Sequence, residues 1–261
     1  MTVRTMVALV TPLTPAGEVC QWSLASLADH LGDAVDTLVA ALSTGEGRLL
    51  DNEHWADVVR GTIGCRGGRR VWAGALGASS SQVIGRVRDA ERLGADAVVV
   101  SGHPERGRSS GEVADHVDAV LTATGLPVVL YHEEERCGTA LGVDLLAELA
   151  RRPQVLAVKE SHADPAVLRE VRAAVADADV LVGREEQLAT AVGADGSLTA
   201  LANLDPLLCA RALGHPAAAG DVAAAIERFG LARADWYASV KRELARRGVI
   251  AADRLATGEE A

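Results

Sequence analysis

The sequence predicts a (β/α)8 barrel, the TIM-barrel form of α/β fold, followed by a C-terminal helical appendage. Three observations carry this reading. Eight short apolar runs alternate with seven longer segments of helical period, which is the rhythm of such a barrel. The runs are apolar at consecutive positions, as strands of a parallel sheet buried on both faces are. The chain has 261 residues, a length that suits one barrel or two smaller domains. A doubly wound open sheet is the rival fold. Against it, no GxGxxG follows the first strand, and eight strands is the barrel number.

The first strand is read at residues 6–10 and the first helix at 23–31. Strand 2 at 37–42 precedes a helix at 52–63, and strand 3 at 71–75 precedes a helix at 80–93. In that helix Val83, Val87, Ala90 and Leu93 recur at helical spacing, Ser80 can cap the start, and Gly94 ends it. Strands at 97–100, 127–131, 155–159 and 180–182 are followed by helices at 111–124, 143–151, 164–175 and 185–192. Strand 8 is read at 197–201. Helical patterns at 206–213, 217–234 and 237–247 follow, and the tail beyond Arg254 is expected to fray. The division is therefore a barrel over 1–204 and a helical extension over 205–261.

Composition narrows the function classes. Hydrophobic residues are 49% and charged residues 24%, enough to bury a core and too few charges for wholesale disorder. Aromatics are only 3%, so Ala, Val and Leu must build that core. A net charge of −10 argues against nucleic-acid and anionic-membrane partners. The first ten residues run directly into a strand rather than a signal pattern, and no apolar stretch reaches transmembrane length. Cys20, Cys65, Cys137 and Cys209 are scattered without CxxC spacing and read as free thiols of a reducing, cytoplasmic protein.

Of 26 basic residues only Lys159 and Lys241 are lysine. Lysine can lose its proton, attack a carbonyl and form an imine, whereas arginine cannot. Lys159 closes the apolar run Val155-Leu156-Ala157-Val158. An amine there is desolvated, which favours its neutral form.

Barrel chemistry sits at the carboxyl ends of strands. Those ends offer Ser43-Thr44-Gly45-Glu46, Ser101-Gly102-His103, Tyr131-His132 with Glu133-Glu134-Glu135-Arg136, Lys159-Glu160-Ser161-His162, and Gly183-Arg184-Glu185-Glu186. Tyr131 and Lys159 end adjacent strands, where a phenol can relay the protons that imine formation moves. Either residue alone also suits a plain barrel rim, Lys159 as a snorkelling side chain. Ser43-Thr44-Gly45 offers hydroxyls and amide donors for a carboxylate, although capping is the commoner use of Ser-Thr. Arg136 can clamp a second carboxylate or pair with the acidic triplet before it.

Taken together, Ala8-Leu9-Val10-Thr11-Pro12, Ser43-Thr44-Gly45-Glu46, Tyr131 with Arg136 and Gly138, Val158-Lys159-Glu160-Ser161 and Gly193-Ala194-Asp195-Gly196 resemble the dihydrodipicolinate synthase and N-acetylneuraminate lyase superfamily. The resemblance runs from about residue 5 to residue 205, and Val240-Lys241 resembles a short motif of the appendage. It implies a metal-free class I lyase of pyruvate type, with the covalent imine on Lys159 in place of a cofactor. It implies Tyr131 as proton relay, Ser43 and Thr44 as carboxylate and proton contacts, Thr44 among the catalytic residues, and Gly45 and Leu198 beside the substrate. It further implies Arg136 on an acidic group of an aldehyde or related acceptor, and assembly as a homotetramer or homodimer.

Departures are visible. The family's tyrosine pair after strand 4 is replaced by Pro104-Glu105, and Glu133-Glu134-Glu135 replaces an apolar loop. His103, His132 and Glu133 are therefore auxiliary candidates, the histidines as substitute proton carriers. The acids would suit an acceptor with an amine or hydroxyls, or form a solvated loop. These departures favour a specialised pathway over lysine synthesis. Rival readings are a dehydratase with the same imine, a class II aldolase with metal on His103, His132 and His162, and a non-catalytic relative.

Overall fold

The computed structural model describes residues 4–133 and 141–256. Eight parallel strands close into a barrel in sequence order. They are β1 (Arg4–Ala8), β2 (Thr37–Ala40), β3 (Arg70–Gly74), β4 (Ala97–Ser101), β5 (Val128–His132), β6 (Val155–Glu160), β7 (Asp179–Val182) and β8 (Gly196–Thr199). Each of the eight predicted runs forms one strand, with ends shifted by one or two residues.

The consecutive apolar positions are explained by two cores. Side chains alternate across a strand. Met6, Val39, Trp72, Val99, Val129, Ala157, Leu181 and Leu198 fill the barrel interior. Val7, Leu38, Val71, Val98, Leu130, Val158 and Val182 face outward into the layer under the helices. Strands buried on both sides need no polar alternation.

Helices α1 (Gln21–Leu31), α2 (Asn52–Gly64), α3 (Ser80–Leu93), α4 (Ser110–Ala123), α5 (Val143–Ala150) and α6 (Pro165–Ala174) follow β1 to β6. The cap of α3 is Ser79 rather than Ser80: its side chain accepts from the Gln82 N–H, and Gly94 ends the helix at φ 87°.

The helix expected at 185–192 is absent, and a single 3-10 turn, Glu185–Gln187, stands there. Side chains explain the difference. The Glu185 carboxylate accepts from the N–H groups of Ala200 and Leu201, and the Gln187 amide donates to the carbonyls of His162 and Ala163. These bonds tie the segment to neighbouring loops before an α-turn can propagate.

After β8 come α7 (Pro206–Ala212), α8 (Ala219–Phe229) and α9 (Trp236–Arg246). Helix α7 packs beside β1, and α8 lies against the Glu185–Gln187 turn, in the place of the expected helix. Of the tail expected to fray, Leu255 and Ala256 are described and residues 257–261 lie outside the described residues. The Arg254 carbonyl accepts from Lys241 Nζ at 2.7 Å, and the Ala256 N–H donates to Glu46 at 2.6 Å. Cys20, Cys65 and Cys209 are free thiols, Cys137 lies outside the described residues, and burial pushes the Cys209 thiol far up. No helix among the described residues is long and apolar enough to cross a membrane.

Candidate active site

Strands β5 and β6 pair so that Tyr131 faces Lys159 and His132 faces Glu160. Neither Tyr131 nor Lys159 is terminal, because each strand runs one residue further than the apolar pattern indicates. Period two sends Tyr131 and Lys159 inward and His132 and Glu160 outward. Lys159 is 4% exposed; its Nζ donates to Ser161 Oγ at 2.7 Å and lies 3.9 Å from the Tyr131 ring centroid.

Ser161 is two residues past Lys159, so it shares the inward face, a signal that spacing alone could have revealed. Gly183, after β7, leaves room for this pair. A Cβ there would lie 1.9 Å from Ser161 Oγ and 2.9 Å from Lys159 Nζ.

Tyr131 is 3% exposed. Its Oη lies 3.2 Å from Ser43 Oγ and donates to the Glu133 carboxylate. The turn carrying Ser43 and Thr44 follows β2 and is bent tightly: Ala41 and Glu46 take φ of 53° and 55°. Non-glycine residues in that region carry strain of about 1–3 kcal/mol each unless their surroundings compel it.

Two buried cations supply the restraint. Arg86 of α3 donates to the carbonyls of Gly47, Leu50 and Leu76. Lys241 of α9 pairs with Glu46 Oε1 at 2.5 Å. Gly45 is fixed by Thr11, whose hydroxyl donates to its carbonyl at 2.6 Å, and a Cβ on Gly45 would meet the Leu9 carbonyl at 2.8 Å.

These groups open onto a cavity of about 250 Å³. Ser43, Thr44, Tyr131, Glu133, Lys159 and Leu198 line its floor and side. Arg184, Glu185 and Glu186 after β7, Leu231, Ala232 and Arg233 between α8 and α9, and Trp236 at the start of α9 complete its wall. The Glu185 carboxyl is pushed up by burial. A wider groove of about 860 Å³ at the opposite end of the barrel, beside Pro127, Gln154, Asp177 and Asp195, contains none of these reactive groups.

The remaining predicted residues fall elsewhere. Arg136 lies outside the described residues. Gly45 supports the turn without lining the cavity. His132 points outward, its Nδ1 2.7 Å from Glu160 Oε2. His103 lies between α3 and α4, accepting from the Glu105 N–H at 3.0 Å and meeting the His116 ring edge-on at 5.0 Å. Neither histidine lines the cavity. His162 stacks near His132, not toward His103. Among the described residues no three His, Cys, Asp or Glu side chains converge as a metal site. The outer wall at 231–236 was invisible in the sequence, because it arrives by long-range packing of the appendage.

Closed parallel barrels carry their chemistry at this mouth, and the chain is an enzyme of the lyase type. It belongs to the Dihydrodipicolinate synthetase family, whose profile matches residues 1–234. It is 34% identical over 205 residues to a 4-hydroxy-tetrahydrodipicolinate synthase of Exiguobacterium sibiricum, covering 76% of this chain and 70% of that one. To the enzyme of that name from Methanothermobacter thermautotrophicus it is 30% identical over 233 residues, covering 85% and 82%. The crystal structure of the chloride-inhibited dihydrodipicolinate synthase of Acinetobacter baumannii, complexed with pyruvate, superposes with a TM-score of 0.85 at 25% identity, covering 96% of this chain and 90% of that one.

Proposed function

We propose that this enzyme is a class I aldolase or synthase that binds pyruvate or a related 2-oxo acid as an imine on Lys159. The observation that carries the reading is the placement of Lys159: a buried amine at the barrel mouth, 3.9 Å from the Tyr131 ring and bonded to Ser161. The pyruvate complex of the Acinetobacter baumannii relative supports the choice of 2-oxo acid.

In this reading the neutral Lys159 amine attacks C2 of the 2-oxo acid. Tyr131 moves the protons that let the carbinolamine oxygen depart as water. Ser43 and Thr44 hold the substrate carboxylate, with Gly45 keeping their turn in place and Leu198 packing beneath. The iminium draws electrons from C3, which loses a proton and becomes an enamine nucleophile toward an aldehyde; the reverse sequence cleaves a C–C bond. Water then releases the product and restores Lys159. The imine itself is the electron sink, so the step needs neither metal nor organic cofactor. Arg136 is the proposed contact for an acidic group of the acceptor. A homotetrameric or homodimeric cytoplasmic enzyme of a specialised pathway completes the proposal.

An acceptor need not be known to test the enamine. Pyruvate incubated with the enzyme in deuterium oxide should lose its methyl proton signal in NMR, and Lys159→Ala should abolish the exchange. Undiminished exchange in Lys159→Ala would sink the proposal.

A further inference from the structure

The phenol of Tyr131 is buried, and a proton that it takes from substrate must leave through other side chains. Glu133 is placed to receive it. Tyr131 and Glu133 are two residues apart, so the inward alternation of β5 continues one step past the strand and brings the carboxylate to the phenol. Tyr131 Oη donates to Glu133 Oε2, and Ser43 Oγ stands 3.2 Å from the same Oη. Glu133 is 9% exposed against 3% for Tyr131, and it lines the cavity that holds Lys159.

We propose that Glu133 is the terminal proton acceptor of a relay that runs from substrate through Tyr131, so that the relay is complete within one subunit. The inference rests on the imine reading above. When the C3–H bond of the iminium breaks, its electron pair forms C2=C3, and the C2=N pair returns to the Lys159 nitrogen. The C3 proton passes to Tyr131 Oη while the phenol's own proton passes to the Glu133 carboxylate. Tyr131 thus stays a neutral phenol, and Glu133 becomes a carboxylic acid. When the enamine attacks an aldehyde, the same path runs backwards. Glu133 returns its proton to Tyr131, and Tyr131 protonates the new alkoxide. Every proton is accounted for and the relay is reset, while the product stays bound to Lys159 as an iminium until water releases it.

Glu133→Gln tests the proposal because an amide oxygen can still accept the Tyr131 hydrogen bond but cannot take its proton. The readout is deuterium exchange at C3 of pyruvate as a function of pH, with the borohydride-trapped adduct measured on the same samples. Lys159, Arg184, Glu185, Glu186 and Arg233 line the same cavity, so the profile of each variant is compared with that of wild type rather than read alone.

Glu133→Gln should lower the exchange kcat about a hundredfold or more, the range for a lost general base. It should leave KM for pyruvate and the final adduct yield near wild type. Glu133→Asp should recover part of the rate. In the background of Tyr131→Phe, adding Glu133→Gln should cost nothing further, because residues of one relay are not additive. A Glu133→Gln enzyme that traps pyruvate normally and exchanges within twofold of wild type would overturn the relay. So would a full additional loss in the double variant. Wild type that fails to trap pyruvate at all would instead refute the imine.

Discussion

At the scale of single residues, space beside the amine is the tightest constraint. Gly183 is small because Lys159 Nζ, Ser161 Oγ and the Glu160 carbonyl occupy the volume that a methyl would need, the last at 2.7 Å. Gly183→Ala should therefore destabilise by about 1–3 kcal/mol through overpacking. It should also displace Ser161 from Lys159 and lower pyruvate exchange by at least about tenfold, since small misplacements of reacting groups are expensive. Urea unfolding and the exchange assay measure the two effects. Wild-type exchange in Gly183→Ala would mean that the Ser161 contact does not orient the amine. The rarity of lysine marked Lys159 in the sequence, and the ends of two adjacent apolar runs placed Tyr131 beside it. The gap at Gly183 was not legible, because it depends on how β6 and β7 approach one another.

At the scale of elements, the Ser43–Glu46 turn is held from two helices. Lys241 is fully buried; burial pulls its pKa down and Glu46 opposes that fall. The pair therefore joins α9 and the chain end to the turn that is proposed to bind the substrate carboxylate. Lys241→Met leaves Glu46 buried without its cation, a change that costs about 3–5 kcal/mol. Adding Glu46→Gln should recover part of that loss, and KM for pyruvate should rise in both variants. Equal urea midpoints for wild type and Lys241→Met would show that the pair is not coupled to folding. The sequence displayed both residues but not their pairing, which only the folded appendage creates. The same limit explains the missing helix after β7. Its periodicity was present, but bonds from Glu185 and Gln187 to distant backbone prevailed over it.

At the scale of the whole molecule, the barrel was legible because its strands are buried on both faces and its helices on one. Continuous apolar runs and segments of helical period then punctuate the chain in turn. The pocket wall from Leu231 to Trp236 was not legible, since nothing local says where the connection between α8 and α9 will rest. Acid stability is also a property of the assembled layers. His116, buried between helices and barrel, has its pKa pushed down to about 4 by burial, with His103 a lesser cause. An unfolded histidine takes up its proton near pH 6.5. Stability should therefore be full above about pH 6.5 and fall as pH drops toward 4, by on the order of 1–2 kcal/mol at pH 5. His116→Leu should flatten that part of the urea-midpoint profile. An unchanged slope would assign the acid lability to other groups.

The central claim concerns one covalent bond. Enzyme incubated with pyruvate and reduced with sodium borohydride should gain a single adduct, mapped by peptide mass spectrometry to Lys159. The adduct should be absent from Lys159→Ala and indifferent to EDTA. No adduct, or an adduct confined to Lys241, would contradict the account, as would turnover that survives Lys159→Ala but is abolished by EDTA.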